Sequence, residues 1–256
     1  MALVGKIAVV TGAAEGLGRG ISEILLQNGA KVALLDMNET EGKRSKEAFD
    51  KQYGPDKTLF LNCNVESEQQ FKAAFEKTVQ TFGRPDIMCN NAGILNEADW
   101  DKAVSVNLMG VVRGSYLALE HMSKLTGGQG GVIINMASIA GLEPVMCTPV
   151  YTATKHGVVG FTRAMAAASD VSGYGVRFNV LCPAFVKTKI SMHARETSGQ
   201  FAHLVKEASI YFQKFGMLEV SEVAERFLQL ATDETKNGEA LVIQSKGSDY
   251  VAFPTL

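Results

Sequence analysis

Cysteine is scarce in this 256-residue chain, and its four copies, Cys63, Cys89, Cys147 and Cys182, stand far apart. No pair lies close enough to mark a zinc knuckle or a redox motif. Cys63, Cys89 and Cys182 fall in apolar runs, where a thiol reads as a small buried hydrophobe. An excess of one charge is also missing. The net charge is −2 and no long basic run occurs, which argues against nucleic acid as a partner. No apolar run approaches the roughly 20 residues that cross a bilayer. The four histidines show no metal-ligand spacing, so no metal is expected. A predicted strand begins at Lys6, too early to leave room for a signal peptide, and a cytoplasmic location is the expectation. Repeats of solenoid length and low-complexity linkers are absent too.

What remains is ordinary globular material, 46% hydrophobic and 20% charged, long enough to bury a core without staples. Period and punctuation predict a strand Lys6 to Thr11 and a helix Leu17 to Leu26 stopped by Asn28-Gly29. There follow strand Val32 to Leu35, helix Glu39 to Gln52, strand Leu59 to Cys63, helix Glu68 to Phe82 and strand Asp86 to Cys89. Helix Lys102 to Lys124, strand Val132 to Met136, helix Tyr151 to Ala168, strand Val176 to Leu181 and a late strand Leu241 to Ile243 complete the series. Strands without polar alternation, separated by helices, describe one α/β domain over 1–256, a doubly wound parallel sheet with helices on both faces. Gly127 to Gly131 reads as a turn within it. The rhythm breaks between Phe185 and Met217, a segment rich in large apolar residues such as Met192, Phe201, Leu204, Tyr211, Phe212 and Phe215. It follows a strand whose carboxyl end faces the ligand side of such sheets, so it is a candidate substrate lid.

After the first strand comes Thr11-Gly12-Ala13-Ala14-Glu15-Gly16-Leu17-Gly18. Glycines where a strand turns into a helix let backbone approach a pyrophosphate, and the helix end offers N–H groups and a positive dipole. The spacing differs from the better-known Rossmann fingerprint while using the same physics. Asp36 ends the second strand, where a carboxylate meets the hydroxyls of an adenosine ribose. It repels a 2′-phosphate; Glu15 adds a second negative charge and Met37 offers no cation. NAD is therefore expected rather than NADP.

Tyr151 and Lys155, four apart on a predicted helix, project from one face. Bringing a tyrosine from its ordinary pKa near 10 to neutrality requires about 4 kcal/mol of phenolate stabilisation. An ammonium and an oxidised nicotinamide jointly can supply it. Ser138, just past strand Val132 to Met136, adds a hydroxyl at the carboxyl end of the sheet. His156 reads as a packed or hydrogen-bonded helix residue, and Trp100 as a packing residue in a loop before a helix.

With these motifs in order, the chain resembles the short-chain dehydrogenase/reductase family from Lys6 to about Ile243. Gly12, Gly16, Leu17 and Gly18 match its glycine turn, Asn90-Asn91-Ala92-Gly93 its strand-four motif, and Asn107, Ser138, Tyr151 and Lys155 its catalytic tetrad. The resemblance implies a Rossmann-like fold in which Asn107 positions a water linking the lysine to solvent and Lys155 also binds cofactor ribose. It implies that Val186 and Thr188, following Pro183, hold the carboxamide, with Asn64 and Val65 near adenine. Asn64 replaces the usual aspartate, and Pro183-Ala184 the usual proline-glycine.

Met136 to Leu142, Pro149-Val150-Tyr151 and Lys155 to Arg163 resemble a prostaglandin-oxidising subgroup. That implies NAD-linked oxidation of a secondary allylic alcohol to a ketone, on a 15-hydroxyprostaglandin or related hydroxy fatty acid. Substrate contacts are then expected at Ser138, Thr148, Tyr151, Phe185 and Phe215, although the subgroup carries glutamine at 148 and tyrosine at 215. A retinol or steroid substrate is the alternative, and a nucleotide sensor or scaffold without chemistry the alternative of another class. Small residues along the helix from Tyr151, Ala153, Gly157, Gly160, Ala164 and Ala166 to Ala168, resemble the family's four-helix dimer contact, so a homodimer is expected.

Overall fold

Alternate side chains of the first strand, Ala8 and Val10 on one face and Val9 on the other, enter two separate apolar cores. A strand buried on both faces needs a helix layer above and below it. The computed structural model supplies both layers, and it describes residues 1–192, 194–212 and 216–254, with the backbone alone at 192, 194, 211 and 212. The strands are β1 Ile7–Thr11, β2 Lys31–Asp36, β3 Thr58–Asn62, β4 Ile87–Asn90, β5 Gly131–Met136, β6 Val176–Pro183, β7 Phe185–Val186, β8 Met217–Leu218, β9 Ala240–Gln244 and β10 Gly247–Tyr250. Eight of them form one sheet in the order β10-β9-β6-β5-β4-β1-β2-β3. Every pairing in it is parallel except the edge pair of β10 with β9. The antiparallel β10 is a departure from the expected all-parallel sheet; β7 and β8 form a separate parallel pair.

The longer helices are α1 Gly16–Gln27, α2 Glu39–Tyr53, α3 Glu68–Phe82, α4 Trp100–Val104, α5 Gly110–Met122 and α6 Pro149–Ser172. Short α7 Lys189–Met192 and α8 Ala194–Thr197 follow, then α9 Val205–Phe212 and α10 Val220–Thr232. Ile21 and Leu25 of α1 pack with Phe227 and Leu230 of α10 on one face. Phe71 and Phe75 of α3, Met122 of α5 and Met165 of α6 fill the other. Helix α10 is unanticipated, although Val223, Ala224, Phe227, Leu230 and Ala231 carry the helical period. Between α4 and α5 the winding loosens into a π-helical stretch, Ser105–Met109, which joins the two helices into the single helix expected there.

Strand order reverses beside β1, which pairs with β2 on one side and β4 on the other. Ligands in such sheets bind outside the carboxyl ends of the strands at that reversal. Among the described residues no helix is long and apolar enough to cross a membrane. All four cysteines are buried and free. Trp100, expected to pack in a loop, instead opens α4 and is 54% exposed.

Candidate active site

A cavity of about 1130 Å³ opens where the strand order reverses. Gly12, Glu15, Gly16 and Leu17 line it from the first turn, and Asp36, Met37, Asn64 and Val65 from the ends of β2 and β3. Asn91, Ala92 and Gly93 follow β4, Tyr151 and Lys155 close the inner end, and Thr188 and Lys189 lie across it.

The turn is built for close approach. Gly12 and Gly16 have φ of +63° and +54°, a region that favours glycine. A Cβ at Gly18 would sit 2.0 Å from the Gly12 carbonyl oxygen and 2.6 Å from Asn91 Nδ2, so Gly18 serves the packing of helix on turn rather than the cavity wall. Asn91 donates through Nδ2 to the carbonyls of Thr11 at 2.9 Å and Gly12 at 3.1 Å. The Thr11 hydroxyl in turn accepts the N–H groups of Asn91 and Ala92, both at 3.0 Å. Asn91 thus pins the turn to β4, and Thr11 is its partner, a residue the sequence reading passes over. No side-chain hydrogen bond caps α1 and no acidic residue stands in its first turn. The N–H groups there are left for an anion.

At the far end Asp36 accepts the N–H of Ala14 at 2.9 Å and of Asn38 at 2.8 Å. Those bonds hold the carboxylate at the cavity edge with lone pairs to spare. Glu15 departs from expectation. Lys189 grips its carboxylate at 2.6 and 2.7 Å, so its charge is already matched and Asp36 carries the repulsion against a 2′-phosphate. Asn64 turns its amide to Glu66, accepting that residue's N–H at 3.0 Å. Of Val186 and Thr188, expected at the carboxamide, and Pro183 before them, Thr188 lines the cavity. Val186 packs into the apolar core with its carbonyl engaged by the Thr188 N–H at 2.7 Å, and Pro183 is buried at the end of β6.

The tetrad residues converge. The turn Ile139–Gly141 after β5 lies so close to α6 that a Cβ on Gly141 would stand 2.7 Å from the Lys155 carbonyl oxygen. That contact sets Ser138 against Tyr151, near enough for its hydroxyl to act on the phenol. Lys155 is 3% exposed, donates from Nζ to the Met136 carbonyl at 2.8 Å, and sits 5.5 Å from the Tyr151 ring centre. Asn107, wholly buried on the π-helical stretch, accepts the Ile94 N–H and donates to the Ile94 carbonyl, both at 2.8 Å. Its amide is therefore committed to the loop after β4. His156 bonds the Thr152 carbonyl at 3.0 Å, as a helix residue should.

The electrostatics of the pair in the chain alone are set by burial. Burial pushes the Tyr151 phenol up to about 12, against a lowering by the Ser138 hydroxyl. Burial likewise brings the Lys155 ammonium down to about 8. Desolvation dominates the phenol of the chain alone, so its ionisation calls on the ammonium and an oxidised nicotinamide together.

On the substrate side, Thr148 is 2% exposed at the start of α6. Tyr151, Phe185 and, from the candidate lid, Phe201, Leu204 and Val205 pack on one small apolar cluster of Ala140, Val145, Cys147 and Ala208. Phe215 and the side chains of Met192, Tyr211 and Phe212 lie outside what is described.

A family model described as short chain dehydrogenase matches residues 6–199. The chain is 46% identical to a 15-hydroxyprostaglandin dehydrogenase [NAD(+)] of Rattus norvegicus, covering 98% of this chain and 97% of that one. It is equally 46% identical to the enzyme of that name from Homo sapiens, over 98% and 96%. Among solved structures, levodione reductase superposes with a TM-score of 0.83 at 29% identity, covering 94% of this chain and 97% of that one.

Proposed function

The chain belongs to the short chain dehydrogenase family, and from that premise we propose that it is an NAD-dependent oxidoreductase. The reaction is oxidation of a secondary alcohol on a hydrophobic lipid, a 15-hydroxyprostaglandin or related hydroxy fatty acid, to a ketone. The observation that carries the reading is Tyr151 at the inner end of the cavity with Lys155 Nζ 5.5 Å from its ring centre and Ser138 beside its phenol. Cavity and dinucleotide suit each other. The glycine turn holds its tight course because Gly12 and Gly16 take left-handed φ values, and the uncapped α1 N-terminus and the Asp36 carboxylate match diphosphate and ribose.

Bound there, a nicotinamide dinucleotide supplies the hydride acceptor and, when oxidised, a positive ring. The chain's own groups handle the proton. Ser138 would hold the alcohol oxygen by hydrogen bonding, and Tyr151 Oη, in its phenolate form, would take the hydroxyl proton while the carbinol hydrogen leaves with its electron pair for the hydride acceptor. Lys155, held at the Met136 carbonyl, would offset the phenolate charge and hold the ribose of a bound cofactor. Asn107 fixes the loop through Ile94, beside which a Cβ on Gly93 would stand 3.6 Å from Lys155 Nζ. Phe185, Phe201, Leu204 and Val205 give an apolar wall on the cluster that the tyrosine also packs against, which suits a lipid chain, with 185–217 as its lid.

Tyr151→Phe is expected to abolish turnover while NADH still binds; substantial residual activity would reject the assignment. A panel of prostaglandin, hydroxy fatty acid, retinol and hydroxysteroid, read by NADH fluorescence, identifies the substrate. Faster turnover of retinol or steroid would replace the prostaglandin reading. A homodimer through α5 and α6 belongs to the same proposal. It is supported by Tyr116, 54% exposed and edge-on to Phe161, and by Gly160, which has open space before it. Sedimentation showing only monomer at micromolar concentration would remove that part.

A further inference from the structure

Glu97 is a carboxylate only 8% exposed, in the loop between β4 and α4, and the chemistry above makes no use of it. Its oxygens accept the backbone N–H groups of Val150 at 3.1 Å and Tyr151 at 2.9 Å. Both belong to the first turn of α6. The residue at the head of that helix, Thr148, makes no side-chain capping bond, and the turn itself contains no acidic residue. The first N–H groups of a helix lack intrahelical partners and carry partial positive charge. Here the acceptor comes from 53 and 54 positions away, and one of the two groups it fastens is the amide of the residue bearing the phenol.

A second set of contacts joins the same loop to the lid. The Glu97 N–H donates to the Thr197 carbonyl at 2.8 Å. Ser198 is wholly buried, near enough to the buried Cys147, immediately before Thr148, to act on its thiol. Gly199, with φ of +52°, lies so near that a Cβ would approach Ala98 N to 3.1 Å and the Glu97 carbonyl carbon to 3.3 Å. One residue therefore holds the lid by its backbone and the base of α6 by its side chain.

We propose that Glu97 is a positioning residue that sets Tyr151 in place and couples that placement to the seating of lid residues 197–199. The proposal rests on the reading of Tyr151 as proton carrier. A lipid entering beside Phe201 and Leu204 must move or seat the lid. Through Glu97 that movement reaches the amides at 150 and 151 in two bonds, so the phenol is aligned when the lid is down.

The test uses the full chain carrying Glu97→Gln, Glu97→Asp or Gly199→Ala. Glutamine removes the charge and turns an NH2 toward a donor. In Glu97→Gln the kcat for a lipid alcohol is expected to fall about 10- to 100-fold, the loss that small misplacements bring, with NADH affinity unchanged. Glu97→Asp, which keeps the charge on a shorter arm, should recover part of it; recovery of none counts against the proposal. Amide hydrogen exchange at Val150 and Tyr151 should quicken in Glu97→Gln and also in Gly199→Ala. Wild-type kcat in Glu97→Gln overturns the positioning role, as does a parallel loss of NADH affinity. Unchanged exchange at 150 and 151 in Gly199→Ala overturns the coupling. If Glu97→Gln fails to fold, Glu97→Asp and Gly199→Ala carry the same readouts. If the wild-type protein oxidises no alcohol offered, the proton-carrier reading fails while the exchange measurements still judge the link.

Discussion

Lys155 burdens the fold that carries it, and the burden can be measured. Its ammonium is 3% exposed and brought down from 10.5 to about 8 by burial. At about 1.36 kcal/mol for each tenfold, holding that charge inside costs the protein about 3 kcal/mol below the folded pKa. Between about pH 8 and 10.5 the unfolded chain keeps a proton that the fold has released, so stability rises with pH across that window. Tyr151 and Cys182, its titratable neighbours, are pushed up to about 12 and stay neutral in the fold throughout. Their unfolded forms titrate alike in wild type and variant and cancel in the difference.

The perturbation is Lys155→Met, which keeps the stem and deletes the charge. Losing the hydrogen bond to Met136 subtracts about 1 kcal/mol at every pH. At about pH 7 the variant should therefore be the more stable by about 2 kcal/mol, and by about pH 10 the advantage should shrink by 2 to 3 kcal/mol and reverse. Urea titrations of both proteins without cofactor at the two pH values, analysed by linear extrapolation, read this directly. An advantage that does not change with pH would refute the reasoning.

The glycine turn and the ribose-facing carboxylate give two further tests. Gly18→Ala places a methyl 2.0 Å from a backbone carbonyl that cannot swing aside, so about 1–3 kcal/mol of stability and at least tenfold in NADH affinity should be lost; isothermal titration showing wild-type affinity would count against the packing role. Asp36→Ala strands the N–H groups of Ala14 and Asn38, at about 1–3 kcal/mol for each that finds no water. It should also move the NADPH-to-NADH affinity ratio toward NADPH, and an unchanged ratio would mean that the carboxylate does not discriminate.

Where local sequence settles local structure, it is legible. Helix α3 begins and ends at the expected residues because Ser67 accepts the Gln70 N–H at its head and Gly83, at φ +104°, turns the chain out at its foot. Helix α6 runs longer than its apolar pattern because Pro149 starts it and the left-handed Gly173 ends it. Strand β10 is illegible for the opposite reason: Gly247–Tyr250 is largely polar and owes its form to pairing with β9. The site divides in the same way. Gly12, Gly16, Tyr151 and Lys155 stand at short fixed spacings that carry their own geometry. Glu97 and Thr11 act on groups more than fifty residues away, which no spacing reveals. Burial is equally a property of the whole fold, which is why the direction in which Tyr151 shifts escapes a reading of charge neighbours alone.

The loosened winding at Ser105–Met109 has an evolutionary edge. Taking out one residue there would restore ordinary helix, yet each residue removed turns everything beyond it by about 100°. Were Asn107 to keep its seat, Gly110, which tolerates Val65 within 3.0 Å of a would-be Cβ, and Gly114, against the Asn90 amide, would swing away from the surfaces they were selected to meet. The irregularity is thus heritable in one direction: easily acquired by an insertion, and hard to shed once both halves have adapted to the offset.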